Sequence, residues 1–175
     1  MRLFIALGLP PAFLVLLKEA GEALGADAQK ISLTRAENLH LTLRFLGEVP
    51  QEHLPALSRL ILGLGGHAVR GTISGYGSFP APEGLTLWAG IEGGAPLSAL
   101  AAQVGKGLGA LGFAPEGRPF VPHVTLARRA RLKKPLAELL PLLPLHPAPL
   151  LLGPLTLFES RLGPGGPRYS AVASG

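Results

Sequence analysis

The chain has 175 residues and no cysteine, which excludes disulfides, thiolate catalysis and cysteine-ligated zinc. Hydrophobic residues make up 47% of the chain, enough to bury the core of one compact domain and too many for a disordered protein. The formal net charge of +5 favours an anionic partner such as RNA or a phosphorylated small molecule, and a basic surface without such a partner is an equally weighted alternative.

The first 29 residues share features with a secretory signal peptide: an early arginine, an apolar run and the small-residue sequence ADA at 26–28. Pro10 and Pro11, however, divide the apolar run. We therefore expect a mature strand at 2–9, followed by a helix at 11–24 that carries a proline in its first turn.

Strand and helix signals are mixed along the rest of the chain, with no long linker between them. The further predicted strands lie at 38–46, 68–76, 85–92, 120–128, 150–160 and 167–173. The further predicted helices lie at 51–64, 96–111 and 135–143. Several strands follow one another directly, which favours antiparallel pairing and an α+β fold over a doubly wound parallel sheet. Prolines interrupt the apolar segment 139–153, so we do not expect it to span a membrane.

A histidine and a threonine interrupt an apolar strand pattern in NLHLTLRF, residues 38–45. Alternate side chains of a strand face opposite sides, so the apolar residues share one face and the polar residues the other. The apolar face holds Leu39, Leu41, Leu43 and Phe45, and the polar face holds His40, Thr42 and Arg44. His40 and Thr42 then lie roughly 7 Å apart along the strand, so that one small anion can contact both.

The same His-x-Thr pattern returns in FVPHVTLARR, residues 120–129. By the same alternation His123 and Thr125 share one face, and Val124 lies on the other. Arg128 falls on the Val124 side of a regular strand, so it reaches the histidine face only past a bulge or beyond the strand end.

Two histidines and two threonines that meet across a cleft suit general acid–base chemistry. The unperturbed pKa of an imidazole is about 6.5, so one histidine can accept a proton while the other, charged, donates one. Threonine hydroxyls can donate hydrogen bonds to nonbridging phosphate oxygens. Such a set needs neither a metal, a cofactor nor a covalent nucleophile.

Other uses of these residues remain open. A single His-x-Thr in a strand is more often structural, but its repetition in a matching apolar context favours function. Zinc is the rival partner of paired histidines, although Glu37 and Glu48 do not stand at a recognisable ligand spacing. The glycine-rich sequences GYG and GPGG lack the GK[ST] of a nucleotide-binding loop. The isolated histidines, which we expect on the surface or in loops, are His53, His67 and His146.

A run of positive charge follows the second motif. It consists of Arg128, Arg129, Arg131, Lys133 and Lys134. Such a run is either a solvated surface or a contact to the phosphate backbone of a nucleic acid.

The paired sequences HLTL and HVTL resemble the 2H phosphoesterase superfamily, and the wider context resembles its bacterial and archaeal RNA 2′,3′-cyclic phosphodiesterases, once called 2′-5′ RNA ligases. The resemblance covers nearly the whole chain. It includes RLFIAL, ENLHLTLRFLGEV, RPFVPHVTLARR, GSFP and the closing LFESRL and GPRY. The chain departs from the family in KISLTRAENLH, which lacks the aromatic residue often found shortly before the first motif.

The resemblance implies one bilobal α+β domain over residues 1–175. Two antiparallel sheets with outer helices would surround a central cleft, and two halves related by a pseudo-twofold axis would each supply one His-x-Thr motif. It also implies a cytoplasmic enzyme, expected as a monomer, that uses no metal and no cofactor. The implied substrates are RNAs with 2′,3′-cyclic phosphate ends, tRNA fragments among them. A noncatalytic RNA- or phosphate-binding module, or a 2H phosphodiesterase acting on a small cyclic nucleotide, is the alternative.

The implied reaction is hydrolysis of the cyclic phosphate to a 2′-phosphate, with weak, reversible, ATP-independent 2′-5′ ligation as a further activity. The implied catalytic residues are His40 and His123, with Thr42 and Thr125 holding the phosphoryl oxygens. The sequence does not decide between the two histidines, and we expect His123 as the base and His40 as the acid. The candidates for further substrate contacts are Arg44, Arg128, Phe45 and Phe120.

Overall fold

Nine strands and four helices form the chain in the computed structural model, which describes residues 1–175. The strands are β1 (Arg2–Leu7), β2 (Ala28–Leu33), β3 (Leu41–Glu48), β4 (Val69–Ala81), β5 (Gly84–Glu92), β6 (His123–Leu132), β7 (His146–Leu152), β8 (Leu155–Gly163) and β9 (Gly166–Ser174). The helices are α1 (Pro11–Ala26), α2 (Leu54–Leu64), α3 (Gly94–Ala110) and α4 (Leu136–Leu139). No helix combines the length and the apolar character needed to cross a membrane.

All strand pairs are antiparallel, and they link the nine strands into one sheet. The strand order is β7-β4-β5-β6-β3-β1-β8-β9, and β2 pairs with residues 127–132 of β6, on the same edge as β3 but further along the strand. A single residue pair, Leu41 with Val124, joins β3 to β6. The α+β class with antiparallel strands is therefore confirmed, and the two sheets expected from the resemblance are two halves of a sheet that meet at this junction.

The helices pack on one face of the sheet and enclose the hydrophobic core with it. Helix α1 presents Phe13, Leu17, Ala20 and Leu24 to that core, at the three- and four-residue spacing of one helix face. Burying a large apolar side chain such as Phe13 stabilises the fold by roughly 1.5–3 kcal/mol. We call the opposite side of the sheet the cleft face, because the polar side chains of both motifs lie on it.

Several element boundaries differ from the prediction. Strand 150–160 is two strands, β7 and β8, because the chain breaks at Gly153 and Pro154, where Gly8 hydrogen-bonds to both residues. Strand β2 was not predicted, because half of its residues are exposed and they carry no clear apolar alternation. Residues Ala36–Asn38 form a 3-10 turn, so β3 begins only at Leu41. The helices predicted at 51–64 and 135–143 each include a turn of 3-10 helix.

Candidate active site

The two motifs meet at the junction between the halves of the sheet. Leu41 and Val124 are register partners there, and both side chains are fully buried in the core. Their neighbours in each strand therefore point to the cleft face. Because the two strands run antiparallel, each histidine lies on the side of the other motif's threonine. The polar side chains brought together in this way are His40, Thr42, His123 and Thr125.

Each histidine is oriented by a backbone carbonyl two residues before it. Nδ1 of His40 lies 2.7 Å from the carbonyl oxygen of Asn38, and Nδ1 of His123 lies 2.7 Å from that of Val121. A carbonyl can only accept, so Nδ1 carries the proton and Nε2 is the reactive nitrogen of each ring. Nε2 of neutral His40 accepts a hydrogen bond from the hydroxyl of Thr42 at 2.9 Å.

A β-bulge reverses the expected side-chain directions after the first motif. Ile5 pairs with Arg44 and Ala6 with Thr42, so that Leu43 is an extra residue in β3. Arg44 therefore points to the core side together with Ile5, whereas Phe45 pairs with Phe4. The prediction that Arg44 shares a face with His40 was wrong, because simple alternation does not anticipate the bulge.

Arg44 instead connects β3 to the loop that precedes the second motif. Its guanidinium donates to the carbonyl oxygen of Ala114, and its Nε lies 3.7 Å from the carboxylate of Glu116. Only 13% of the Arg44 side chain is exposed, and its guanidinium is engaged in these two contacts. Nothing in this geometry supports Arg44 as a substrate contact, and its position indicates a structural role.

A second bulge brings Arg128 to the cleft face. In β5, Leu87 pairs with Ala127 and the next residue, Trp88, pairs with Thr125, so Leu126 is the extra residue. Leu126 and Ala127 are both buried, and Arg128 emerges on the side of Thr125. The sequence indicated that Arg128 needs a bulge to reach the histidine face, and the structure contains such a bulge.

The C-terminal hairpin encloses His40. The Asn38 side-chain amide donates to the carbonyl oxygen of Pro167 in β9, at 2.9 Å. The ring of Tyr169, also in β9, meets the His40 ring edge-on at 5.3 Å between centroids. The Phe4 ring lies 4.8 Å from the His40 ring and 4.9 Å from the Tyr169 ring, so the three rings contact one another. Residues far from the first motif in sequence thus help to position its histidine, whereas the nearby Asn38 carbonyl sets the tautomer.

Burial lowers the pKa of His40 below the ordinary histidine value. The hydrogen bond to Asn38 opposes this effect, and the positive charges of Arg128 and His123 lower the pKa further. Both groups belong to β6, across the junction from His40. At neutral pH the imidazole of His40 in the free protein is therefore neutral.

This lowered pKa should make folding stability depend on pH below about 6.5, the pKa of a histidine in an unfolded chain. There the unfolded state binds more protons than the folded state, so acid favours unfolding, and the stability returns as the pH rises through 6.5. We expect the melting temperature of His40→Gln to fall less than that of the wild type between about pH 7.5 and about pH 5. The exposed, distant His67→Gln is the matched control, and parallel pH curves for His40→Gln and wild type would contradict the assigned burial effect.

Aromatic rings also surround His123. Phe79 meets it edge-on at 5.2 Å, and Trp88 lies at 6.2 Å. The Trp88 ring lies against Gly77, where a Cβ atom would come within 2.3 Å of the ring. Of the two glycines of GYG, Gly77 therefore provides space for an indole beside the second motif, whereas a Cβ atom at Gly75 would meet nothing within 4 Å.

The sequence did not single out these aromatic walls. Phe4, Phe158 and Tyr169 were missed, although they supply aromatic surface beside the first motif, which lacks the upstream aromatic residue. The one available signal was in RLFIAL, where Phe4 alternates with Leu3 and Ile5 and so belongs to the opposite face. Asn38 was also missed, because its role depends on a contact with a residue 129 positions away.

The remaining candidates lie at the edge of the site or outside it. Phe45 is 61% exposed, with its ring 5.9 Å from that of Phe4. Phe120 is half-buried and packs against the core, and no ring contact joins it to a histidine. The other histidines contact residues elsewhere in the fold. His53 packs on Phe113, His67 bonds the Leu64 carbonyl, and His146 begins β7 and packs on Phe13, so it is not a loop residue.

Neither histidine belongs to a group of three or more His, Cys, Asp or Glu side chains that could hold a metal ion. The polar atoms available at the junction are imidazole nitrogens, threonine hydroxyls and the Arg128 guanidinium. Together they can bind an anion and move protons at its oxygens.

Comparison with known proteins places these residues in a family. The sequence model of the 2′-5′ RNA ligase superfamily matches residues 19–164. A protein of Aeropyrum pernix named RNA 2′,3′-cyclic phosphodiesterase is 38% identical over 94 residues, which span 53% of this chain and about half, 53%, of that protein. A protein of Methanothermobacter thermautotrophicus with the same name is 32% identical over 151 residues, covering 83% of this chain and 81% of that protein.

The fold agrees with the same grouping. The crystal structure of E. coli LigT complexed with 3′-AMP superposes with a TM-score of 0.74 at 27% sequence identity, covering 99% of this chain and 96% of that one. The family match spans most of the chain, including both His-x-Thr motifs and the strands that carry them. The chain belongs to the 2′-5′ RNA ligase superfamily.

Proposed function

We propose that this enzyme is an RNA 2′,3′-cyclic phosphodiesterase that hydrolyses RNA 2′,3′-cyclic phosphate ends to 2′-phosphates without a metal ion. The observation that carries the proposal is the junction of β3 and β6, where a single residue pair places two His-x-Thr motifs on one face. The names of the relatives and the binding of 3′-AMP by the structural neighbour support a nucleotide phosphate as the ligand.

The cyclic phosphate binds between the two motifs. The hydroxyls of Thr42 and Thr125 donate hydrogen bonds to its nonbridging oxygens, and Arg128 adds a positive charge on the same face. The hydroxyl of Thr42, which His40 accepts in the free protein, turns to the phosphate when substrate is present. These contacts hold the phosphorus where both Nε2 atoms can reach its substituents.

His123 acts as the base and His40 as the acid in this mechanism. The hydrogen bond that orients His123 is exposed to solvent, whereas the one that orients His40 is partly buried, so water reaches His123 more readily. Nε2 of His123 removes a proton from the attacking water, and the new P–O bond forms as the bond from phosphorus to the 3′ oxygen breaks. The proton on Nε2 of His40 passes to the leaving 3′ oxygen.

His40 must gain that proton when the substrate binds. Its pKa is lowered in the free protein by burial and by neighbouring positive charge. A bound phosphate anion favours the charged imidazole and raises the pKa again. Binding of the substrate is thus coupled to protonation of the acid. If the 5′-hydroxyl of a second RNA replaces water as the nucleophile, the same steps break the bond to the 3′ oxygen and form a 2′-5′ linkage without ATP, which is the weak ligation that we also propose.

The test is product analysis in the presence of excess chelator. An RNA ending in a 2′,3′-cyclic phosphate should be converted to the 2′-phosphate alone, at the rate measured without chelator, because no step uses a metal. The 2′- and 3′-phosphate products are separated by chromatography. Loss of turnover that zinc or manganese restores would refute the metal-free mechanism, and a 3′-phosphate product would refute the stated bond cleavage. Binding without turnover would identify a noncatalytic module.

A further inference from the structure

A row of positive side chains continues from the active site along the paired strands β2 and β6. Lys30 is opposite Arg131, and Ser32 is opposite Arg128. Register partners in an antiparallel pair point to the same side of the sheet. We call Lys30, Arg128 and Arg131 the basic strip.

The basic strip lies on the cleft face. Ala127 and Ala130, the neighbours of Arg128 and Arg131 in β6, are both buried on the core side, because the strand is irregular between them at Arg129, where φ is 54°. The three basic residues are exposed instead. Arg128 stands about 10 Å and Arg131 at most about 20 Å past Thr125, at about 3.3 Å per residue. The strip therefore leads from the phosphate site towards the far end of β6.

The charges of the strip have no ionic partner within the protein. None of its three residues takes part in any of the chain's salt bridges, whereas the adjacent Arg129 pairs with Glu83 at 3.8 Å. Like charges directly opposite each other on neighbouring strands destabilise a sheet. Lys30 and Arg131 form such a pair, so their placement lowers stability unless an anion lies between them.

We propose that the basic strip binds the backbone phosphates of single-stranded RNA upstream of the cyclic end. The inference rests on the proposed function. A 2′,3′-cyclic phosphate is the 3′ end of an RNA chain, and the upstream part of that chain must extend away from the active site in some direction. The strip begins about 10 Å past Thr125 with Arg128, which faces the histidines, and it continues along β6 away from them without an ionic partner. The preferred substrate is then an RNA chain rather than a mononucleotide.

The experiment compares two substrates in one double variant, Lys30→Gln/Arg131→Gln. The substrates are a nucleoside 2′,3′-cyclic monophosphate and a short single-stranded RNA ending in the same cyclic nucleotide. Arg128 is left intact because it also faces the histidines. The matched control is Arg59→Gln/Lys106→Gln, which removes the same charge from exposed positions on α2 and α3, outside the cleft face.

We expect kcat/KM for the RNA to fall roughly tenfold near physiological salt, mainly through KM, and kcat/KM for the mononucleotide to stay unchanged. The slope of log kcat/KM against log salt concentration should become shallower by about 1.4 for the RNA, since each phosphate contact on a single strand contributes about 0.7. The control should match the wild type on both substrates.

An equal loss on both substrates, or no loss on the RNA, overturns the assignment of the strip. The same holds if the control loses as much as the test variant, because net charge alone then accounts for the effect. If the wild type hydrolyses neither substrate, the proposed function fails instead. In that case binding of the RNA to the same variants, measured by fluorescence anisotropy, still decides whether the strip holds it.

Discussion

Replacing His40 or His123 with alanine is expected to lower turnover of a 2′,3′-cyclic phosphate by about 10²–10⁴-fold, the usual contribution of one general acid or base. Both side chains are half-buried at the cleft rather than enclosed in the core, so each variant should remain folded. Steady-state kinetics measure the first effect and melting temperature the second. If either variant retained near-normal turnover, the duplicated motif would be structural rather than catalytic.

The same two variants separate the acid from the base. A substrate whose bridging 3′ oxygen is replaced by sulfur releases a thiolate, which needs no acid because a thiol ionises near pH about 8.5. We expect this substrate to restore much of the lost rate to His40→Ala and none to His123→Ala. Restoration in His123→Ala instead reverses the roles. The double variant should lose less than the product of the two single losses, because the two groups act as a unit.

Replacing Thr42 or Thr125 with valine should lower kcat by roughly one to two decades while the protein remains folded. Valine keeps the branched shape that suits a strand, and it removes only the hydroxyl. A hydrogen bond to a charged group is worth about 1.5–3 kcal/mol, and the loss appears in kcat where that bond tightens in the transition state. Kinetics and melting curves are needed for both variants.

The outcomes for the two threonine variants distinguish a role in phosphate binding from a role in stabilising the fold. A rise in KM alone means that the hydroxyl holds only the ground-state anion. Thr42→Val has a second possible effect, since it also removes the hydrogen bond to Nε2 of His40 in the free protein. Thr125 makes no such bond, so a loss shared by both variants points to the phosphate. Full activity with reduced stability in both would refute the phosphate-binding role.

Alternation of side chains predicted the polar face of each motif correctly for as long as the strand stayed regular. The prediction held for His40 and Thr42 and became wrong one residue later, where the bulge at Leu43 turned Arg44 inward. Residues 43–45, with the sequence LRF, alternate regularly between apolar and polar, so the local sequence gives no sign of that bulge. In the second motif Leu126 and Ala127 are consecutive apolar residues, and this break in the period is a usable sign of the bulge that releases Arg128.

The surroundings of the histidines were harder to predict than the histidines themselves. Strand β1 is apolar after Arg2, because helices cover one face and aromatic rings the other, so the buried part of its sequence does not tell which side faces the cleft. Strand β2 was missed because it is a half-exposed edge strand, yet it supplies Lys30 to the basic strip. Such features depend on long-range pairing, which a pattern within one segment does not contain.

The contacts between β9 and the first motif have a consequence for the order in which the enzyme becomes competent during its synthesis. Chains emerge from the ribosome with the N-terminal part first, at about 5–20 residues per second. Asn38 and His40 emerge early, but their partners Pro167 and Tyr169 belong to the strand that emerges after all the others of this sheet. A nascent chain therefore carries both histidines before it can hold the first of them in place, and cyclic phosphodiesterase activity begins only once the last strand of the fold has been made.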